Sequence, residues 1–294
     1  MKLAYVERTF YGKARTTIEK ANEIIDEYAE QGFTLTLRQL YYQFVSRGLL
    51  LNTERHYKQL GDVINNGRLA GLVDWDAIED RTRNLRRLPS WRNPAELLKD
   101  AAGQFRLDKW ADQPYRPEVW IEKDALVGVI EGVCDELQVP YFPCRGYCSQ
   151  SEMWAAAQRL GSDRREAVIF YLGDHDPSGI DMSRDIEDRL RTFQASVRVE
   201  RLALNIRQVR HYNPPPNPAK MTDTRASDYV RQFGHESWEL DALEPAVIAD
   251  LVRKAVTGLR DDDLWRQRVD EEKSDGVRLR AYAKRWSRRS GKAS

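Results

Sequence analysis

Carboxylate side chains follow two apolar segments in the middle of the sequence. Glu122 comes directly after EVWI. Asp174 comes directly after AVIFYLG, and Asp176 follows two residues later. Both segments have the length and composition of buried strands, and ligands of parallel sheets gather outside the carboxyl ends of the strands. Carboxylate oxygens are the ligands that Mg²⁺ prefers, with Mn²⁺ as a substitute. The spacing therefore predicts a Mg²⁺ site formed by Glu122, Asp174 and Asp176.

The two aspartates also have a simpler interpretation. An Asp-x-Asp after a strand is often a helix cap or a solvated loop, and its spacing alone does not decide between the alternatives. The glutamate at a second strand end favours the metal. The four histidines include no H-E-x-x-H spacing, which argues against zinc. We expect the side chain of His175 to point away from the carboxylates, and Cys144 and Cys148 to be buried or incidental thiols.

A tyrosine and an arginine are the next candidates for chemistry. In LRQLYYQFVSR the apolar positions 37, 40, 41, 44 and 45 form one helical stripe. Tyr41 lies on this stripe and is expected in the core, whereas Tyr42 and Arg38 are expected to share an exposed face. A tyrosine is a poor nucleophile without help, and an arginine can supply positive charge and bind phosphate. An exposed Tyr near an Arg is more often ordinary surface, so the pair alone leaves both alternatives open.

From residue 118 the sequence alternates between strand-like and helix-like segments. This alternation predicts right-handed βαβ units and a parallel sheet, which would bring the carboxylates to one edge. The predicted strands are 118–122, 139–146, 167–172 and 197–204, and the predicted helices between them are 124–138, 149–160 and 176–193.

The first part of the chain has helical periodicity. Helices are predicted over 13–31, 37–47 and 53–71, with Thr36 as the N-cap of the second helix. Segment 72–83 has the partial alternation of a hairpin or wing. Three helices followed by such a segment resemble a winged helix-turn-helix, and the alternative is an ordinary helical bundle.

The predicted fold class is α/β with an α-rich N-terminal domain, and 294 residues are enough for two domains. Residues 1–92 form the predicted winged-helix, DNA-binding domain, which carries the tyrosine. A connector helix occupies 93–117, and the metal-binding parallel-sheet domain follows over 118–242. A helical C-terminal segment with a basic tail completes the prediction over 243–294.

The distribution of charge is more informative than its sum. Lys and Arg number 47 against 46 Asp and Glu, which argues against a uniformly basic nucleic-acid-binding protein. However, 81–92 contains five arginines and no acid, and 276–294 contains seven basic residues and no acid. Both segments are predicted phosphate contacts, although a solvated surface is the alternative. The residues predicted to bind DNA are Arg81, Arg83, Arg86, Arg87 and Lys123.

Composition argues against secretion and membrane residence. No apolar run approaches the ~18 residues of a membrane span, and the sequence MKLAYVERTF has no signal-peptide core. Three cysteines cannot form a full disulfide framework, which fits a reducing compartment. We expect a cytoplasmic, nucleoid-associated protein.

Four motifs resemble one protein family, and their order matches over residues 33–182. RQLYY at 38–42 resembles the R-D-x-Y-Y motif of the A subunit of type IIB topoisomerases (topoisomerase VI) and its meiotic double-strand-break relatives. WIEKD at 120–124 and GDHDPSGI at 173–180 are similar to the E-K-D and D-x-D-P-x-G-I motifs of that family's Toprim domain. RGY at 145–147 resembles its G-K-G-Y-P segment. The chain looks most like the stand-alone "mini-A" members found on mobile elements and phages.

This resemblance implies a CAP-like winged-helix domain followed by a Toprim domain that acts on double-stranded DNA. Tyr42 would be the transesterification nucleophile, with Arg38 as its supporting cation, and the product would be a 5′-phosphotyrosyl link. Glu122, Asp174 and Asp176 would hold Mg²⁺. The family forms homodimers in which the tyrosine of one protomer works with the metal site of the other.

The sequence departs from the family at several points. Gln39 stands where the family usually has Asp, and Cys148 stands where it has Pro. The tyrosine comes early, leaving little of the extension that docks an ATPase, and no G-x-x-x-x-G-K-[ST] loop is present. A separately encoded ATPase B-type subunit is compatible with this sequence but not required by it.

Three functions remain open at the level of sequence. The leading hypothesis is a Mg²⁺-dependent DNA transesterase that breaks DNA, with or without religation, through Tyr42. The second is a Toprim nuclease that hydrolyses nucleic acid with no covalent intermediate. The third is a non-catalytic DNA-binding protein. Covalent attachment of protein to a DNA end separates the first hypothesis from the other two.

Overall fold

The computed structural model describes residues 1–78, 88–162 and 164–290, with side chains up to residue 286. Three helices come first, and all lie close to their predicted positions. They are α1 (Gly12–Glu30), α2 (Leu37–Ser46) and α3 (Glu54–Leu69). The chain leaves α1 through Gly32, whose φ of +83° favours glycine.

A capping box starts α2. The Thr36 hydroxyl accepts a hydrogen bond from the backbone N–H of Gln39 at 3.3 Å, and the Gln39 side chain accepts one from the N–H of Thr36 at 2.8 Å. The predicted Thr36 cap is confirmed. Helices α1 to α3 share a core that includes Ile24, Tyr28 and Leu60.

The segment after α3 differs from the predicted hairpin. Over 72–78, the part of it that the structure describes, no strand forms, and Ile78 makes an isolated bridge to Leu35. The Arg68 guanidinium bonds to the backbone carbonyls of Trp75 and Ile78 and holds this segment against α3. The rest of the predicted wing lies outside the described residues, as do Arg81, Arg83, Arg86 and Arg87.

A helix and the sheet follow. Helix α4 (Pro94–Gln104) lies in the predicted connector and is capped by Asn93. The sheet has four parallel strands in the order β2-β1-β3-β4, which confirms the prediction of a parallel sheet. Its strands are β1 (Tyr115–Ile121), β2 (Tyr141–Pro143), β3 (Glu166–Leu172) and β4 (Val197–Ala203). Strand β1 begins three residues before 118 because Tyr115 already pairs with Glu166.

Helices cover both faces of this sheet. Alternate residues of the central strands, such as Val119 and Phe170, pack with α5 (Val127–Leu137) and α10 (Pro245–Leu259). Their neighbours, such as Trp120 and Ile169, pack on the other side with α6 (Gln150–Gly161) and α7 (Pro177–Thr192). The molecule is therefore a mixed α/β structure whose central strands are buried on both faces, as the continuous apolar runs predicted.

Short elements connect β4 to the C-terminal helices. They are α8 (Ile206–Tyr212), β5 (Asn217–Pro218), α9 (Ala226–Phe233), β6 (Glu236–Ser237) and a 3₁₀ turn (Leu240–Ala242). After α10 comes the long helix α11 (Asp262–Ser290), which packs against α4. None of the helices in the described ranges is long and apolar enough to cross a membrane.

The N-terminal helices pack against the segment 217–244, which we call the acidic connector. Its Glu244 side chain accepts hydrogen bonds from the Tyr28 hydroxyl and, at 3.3 Å, from the Gln43 amide. Ala242, in the 3₁₀ turn, packs against the N-terminal core. The acidic connector thus joins α1 and α2 to the carboxyl edge of the sheet.

Candidate functional site

A cavity of about 310 Å³ lies where α2 faces the carboxyl edge of the sheet. It brings together four of the five residues predicted for catalysis or metal binding, all within one chain. These are Arg38 and Tyr42 from α2, and Asp174 and Asp176 from the loop after β3. Asn217 and Glu239 of the acidic connector complete the wall between them.

Tyr42 is buried, with an exposed fraction of 3%, so the prediction that it is exposed is wrong. The apolar stripe of α2 meets α1 and α3, and a second face of α2 packs against the acidic connector. Burial and the nearby Glu239 carboxylate raise the pKa of Tyr42, while Arg38 and a hydrogen bond from Asn217 act in the opposite direction.

Arg38 and Tyr42 share a face of α2, as predicted. The guanidinium carbon lies 5.8 Å from the centre of the Tyr42 ring. The same guanidinium forms ion pairs with Glu239 and, at 3.0 Å, with Asp241. Burial opposes the charge of Arg38, but these two carboxylates outweigh it and raise the arginine pKa.

Tyr41 differs from its neighbour. Its hydroxyl accepts a hydrogen bond from the backbone N–H of Thr53 at 2.7 Å and lies 3.0 Å from the Thr53 carbonyl. It is in the core, as predicted. Both tyrosines line the cavity, but the Tyr41 hydroxyl is held by backbone groups of Thr53, whereas the Tyr42 hydroxyl is hydrogen-bonded to Asn217 near Glu239. The two adjacent tyrosines are therefore a natural pair for comparison.

Glu122 and Asp174 approach each other at the ends of β1 and β3. The Glu122 carboxylate accepts a hydrogen bond from the backbone N–H of Asp174 at 2.9 Å, and Asp174 accepts one from the N–H of Leu240 at 2.8 Å. Burial, together with neighbouring carboxylates, raises the pKa of Asp174 to about 7 and also raises that of Glu122. A Cβ on Gly173 would lie 2.8 Å from the Glu122 carboxylate, so glycine leaves the space that this group occupies.

Asp176 is the N-cap of α7. Its carboxylate accepts hydrogen bonds from the backbone N–H of Gly179 at 2.6 Å and from the Ser178 hydroxyl at 3.0 Å. The helix-cap interpretation of this aspartate is therefore confirmed. Both hydrogen bonds go to the same carboxylate oxygen, Oδ1. Asp176 also lines the cavity, so its other oxygen is compatible with metal binding.

Lys123 lies among three carboxylates. Its ammonium is 3.0 Å from Asp174, 2.8 Å from Glu239 and 3.0 Å from Asp241. Burial disfavours its charge, but the carboxylates prevail and raise its pKa. The contact of Lys123 with DNA stays a prediction, and here the ammonium is engaged inside the chain.

Within the described residues, no group of three or more His, Cys, Asp or Glu side chains has the arrangement of a metal site. The contacts above explain this. Glu122 and Asp176 accept backbone hydrogen bonds, while Asp174 turns one oxygen to Lys123. The donor set still suits a hard divalent cation, because burial and neighbouring carboxylates raise the pKa of both Glu122 and Asp174, and a cation among these carboxylates would stabilise their ionised forms.

The histidine and the cysteines near the carboxylates in the sequence do not take part in the candidate metal site. The His175 ring faces away from the carboxylates, as predicted, with Nδ1 2.8 Å from the Tyr229 hydroxyl and Phe233 against the ring. Burial lowers the pKa of His175 to about 4. Cys144 and Cys148 are buried free thiols, also as predicted.

Sequence reasoning missed the contribution of the acidic connector. Asn217, Glu239 and Asp241 lie in a region for which the sequence predicts only the end of the sheet domain. A signal was present in ESWELDALEP, where acids alternate with apolar residues. Such a pattern is typical of a segment that turns one side to a core and the other to a polar site.

No protein family model matches this chain, and no curated protein matches it. Its function is therefore inferred from its motifs and from the geometry of the cavity.

Proposed function

We propose that this chain is a Mg²⁺-dependent DNA transesterase, similar to the A subunit of type IIB topoisomerases, that breaks DNA through Tyr42. The observation that supports this most is the cavity, which contains Tyr42 and Arg38 beside Asp174 and Asp176. These residues come from motifs that lie far apart in the sequence. On this proposal, residues 1–92 are a winged-helix domain and 118–242 a Toprim domain.

In the proposed reaction, the Tyr42 oxygen attacks a backbone phosphorus atom of double-stranded DNA. A bond forms between Tyr42 and the phosphorus, the bond from phosphorus to the 3′ oxygen breaks, and the tyrosine proton ends on the released 3′ hydroxyl. The reaction consumes no co-reactant. Since one phosphodiester replaces another, the cut is reversible and religation needs no external energy.

The surroundings of Tyr42 decide how readily it reacts. Its raised pKa keeps the hydroxyl protonated at neutral pH. The positive charge of Arg38 and the amide of Asn217 favour the tyrosinate, so these two residues are the groups that offset burial. A planar guanidinium also binds phosphate oxygens well, which suits Arg38 to hold the scissile group beside Tyr42.

Glu122, Asp174 and Asp176 would hold the Mg²⁺ ion. When bound, the ion would neutralise phosphate charge and stabilise the departing 3′ oxygen. The protein's own contribution is the loop 173–179, which the Arg201 guanidinium holds through the backbone carbonyls of Gly173 and Gly179 at 3.0 and 2.7 Å.

Covalent trapping tests the proposal. Purified protein is incubated with radiolabelled supercoiled DNA and Mg²⁺ or Mn²⁺, and the reaction is stopped with SDS. We expect label on the wild-type protein and on Tyr41→Phe, but none on Tyr42→Phe. Label that persists on Tyr42→Phe would refute the role of this tyrosine.

The burial of Tyr42 favours one alternative, a metal-dependent nuclease in which this residue takes no part. That enzyme would cleave DNA in the same assay and leave no protein on the ends. A lack of cleavage with either metal would favour a DNA-binding protein or a separately encoded ATPase partner. A homodimer is also part of the proposal, since a double-strand break requires two cuts.

A further inference from the structure

Two cysteines flank the turn between β2 and α6. Cys144 directly follows β2, and Cys148 lies two residues before α6; we call residues 144–148 the cysteine turn. Between the cysteines, Arg145 and Gly146 both have a positive φ, 54° and 85°, which reverses the chain over two residues. The two thiols consequently lie in the same apolar cluster and are hydrogen-bonded to each other.

The surroundings of the two thiols make Cys148 the more reactive one. It lies between the exposed residues Tyr147 and Ser149. Its hydrogen bond with Cys144 lowers the pKa of the Cys148 thiol against the effect of burial. The Arg189 guanidinium, which donates to the Cys148 carbonyl at 2.7 Å, also lowers this pKa. An oxidant that arrives from the solvent therefore meets Cys148 first, with Cys144 in place as its reaction partner.

The cysteine turn contacts the β1 side of the candidate metal site. The backbone N–H of Cys144 donates to the carbonyl of Ile121 at 2.8 Å, and Ile121 directly precedes Glu122. The Arg145 guanidinium pairs with Asp124 at 3.1 Å. Since Glu122 lies between these two contacts in the sequence, a movement of the cysteine turn would be transmitted to its carboxylate.

The cysteine turn also contacts the N-terminal part of α7, which follows Asp176. The Tyr147 hydroxyl donates to the Asp181 carboxylate at 2.8 Å and accepts a hydrogen bond from the Arg225 guanidinium. One short segment thus contacts the chain near the candidate ligands after β1 and after β3. A covalent bond requires the two sulfur atoms to approach more closely than they do in a thiol hydrogen bond, so it would shift this segment.

We propose that Cys144 and Cys148 form a redox switch, in which a peroxide converts the two thiols to a disulfide and the disulfide weakens binding of a divalent cation at the candidate metal site. The effect on the cation rests on the proposed function, whereas formation of the disulfide does not.

The oxidation proceeds in two steps. The Cys148 thiolate attacks one oxygen of hydrogen peroxide, the O–O bond breaks, and the departing hydroxide takes up the thiol proton and becomes water. The Cys144 thiol then attacks the sulfur of the Cys148 sulfenic acid, the S–O bond breaks, and a second water leaves. Two molecules of a thiol such as glutathione reverse the reaction and are themselves oxidised to a disulfide.

Mass spectrometry tests the disulfide. Purified protein is treated with hydrogen peroxide, its remaining thiols are blocked under denaturing conditions, and it is digested with trypsin, which cleaves after Arg145 and separates the two cysteines. We expect the intact wild-type chain to lose two hydrogen atoms, about 2 Da, and the peptides of Cys144 and Cys148 to stay linked until a reductant is added.

Single substitutions identify the linked pair. The linkage should be absent in Cys144→Ala and in Cys148→Ala. It should persist in Cys134→Ala, the control, because Cys134 lies in the separate core cluster on the other face of the sheet. Wild-type peptides that remain unlinked while Cys148 gains oxygen, or that remain unlinked at peroxide concentrations that oxidise free cysteine, would overturn the inference.

Isothermal titration calorimetry with Mn²⁺ tests the effect on the metal site. After removal of peroxide, we expect the oxidised wild-type protein to bind Mn²⁺ about tenfold more weakly than the reduced protein, as when the support of a metal ligand is lost. The double variant Cys144→Ala/Cys148→Ala should have the same affinity before and after peroxide. Unchanged affinity in fully linked wild-type protein would overturn the switch. Absence of Mn²⁺ binding by the reduced wild-type protein would instead refute the proposed metal site, while the linked peptides would still report the disulfide.

Discussion

At the level of single residues, the cavity is a balance of buried and partly buried charges. Two cations, Arg38 and Lys123, face the carboxylates Asp174, Glu239 and Asp241. Such a group is stable only while the charges compensate each other, since each would be costly to bury alone. The residues proposed for catalysis are therefore also residues on which the local structure depends.

Replacement of Lys123 tests this balance. We expect Lys123→Met to lower the free energy of unfolding by about 3 kcal/mol, because three carboxylates lose their shared cation. Urea denaturation monitored by circular dichroism measures the change. Lys58→Met is the matched control, since Lys58 pairs with Glu54 on an exposed helix face and its loss should change stability little. Equal stability of the two variants would contradict the assigned role of Lys123.

The raised pKa of Asp174 predicts a pH dependence of metal binding. A divalent cation binds the ionised carboxylate, and Asp174 loses its proton near pH 7. The affinity for Mn²⁺ should therefore rise between pH 6 and pH 8 and fall as acid protonates Asp174. Isothermal titration calorimetry at pH 6 and pH 8 measures the affinity for Mn²⁺. The Asp174→Asn variant should bind Mn²⁺ weakly, and its affinity should not rise between pH 6 and pH 8. A wild-type affinity for Mn²⁺ that is the same at both pH values would contradict the prediction.

At the scale of elements, local signals place the site residues on their helices and strands. Gln39 shows how a departure from the family motif fits the local structure, because its side chain completes the capping box of α2. Asp176 similarly caps α7 while lining the cavity. Asp176 therefore serves both an element boundary and the candidate site, whereas Gln39 serves the boundary of α2.

Gly173 offers a test at this scale. An added methyl group would lie 2.6 Å from the Tyr171 hydroxyl and 2.8 Å from the Glu122 carboxylate, so Gly173→Ala should displace Glu122. We expect Mn²⁺ affinity to fall by about tenfold or more, as when the support of a metal ligand is lost. Gly132→Ala is the control, because a methyl group there meets nothing within 4 Å and should stabilise α5 by up to about 1 kcal/mol. Unchanged Mn²⁺ affinity in Gly173→Ala would argue against Glu122 as a ligand.

At the scale of the whole molecule, the N-terminal helices and the sheet enclose one site, and long-range contacts of the acidic connector join them. Basic residues also cluster at the end of α11, where Arg278 is largely exposed and pairs with Asp275 at 3.5 Å. If this end of α11 binds DNA phosphates, its charges must contribute to the salt dependence of binding.

The salt dependence of DNA binding tests that contribution. Each lost phosphate contact should reduce the slope of log K against log salt by about 0.9, so a variant with three contacts removed should lose about 2.7. The variant is Arg278→Gln/Arg280→Gln/Lys284→Gln, and fluorescence anisotropy over a salt series measures the slope. Arg184→Gln/Arg191→Gln is the control, because each of these arginines forms two ion pairs with acids on α7, whereas Arg278 has one longer pair, and their loss should leave the slope unchanged. An unchanged slope in the triple variant would place this end of α11 outside the DNA interface.

The sequence is enough to predict helices α1 to α7, the helical C-terminal segment, the parallel sheet, the cap at Thr36 and the position of the carboxylates at strand ends. These features follow from periodicity, from local backbone chemistry and from the common edge that parallel strands share. The tertiary structure alone decided that Tyr42 is buried, that Lys123 lies among carboxylates and that Glu239 and Asp241 belong to the site. Arg38 and Glu239 are 201 residues apart. No local pattern encodes such a contact, because it depends on how the second face of α2 docks against a distant segment.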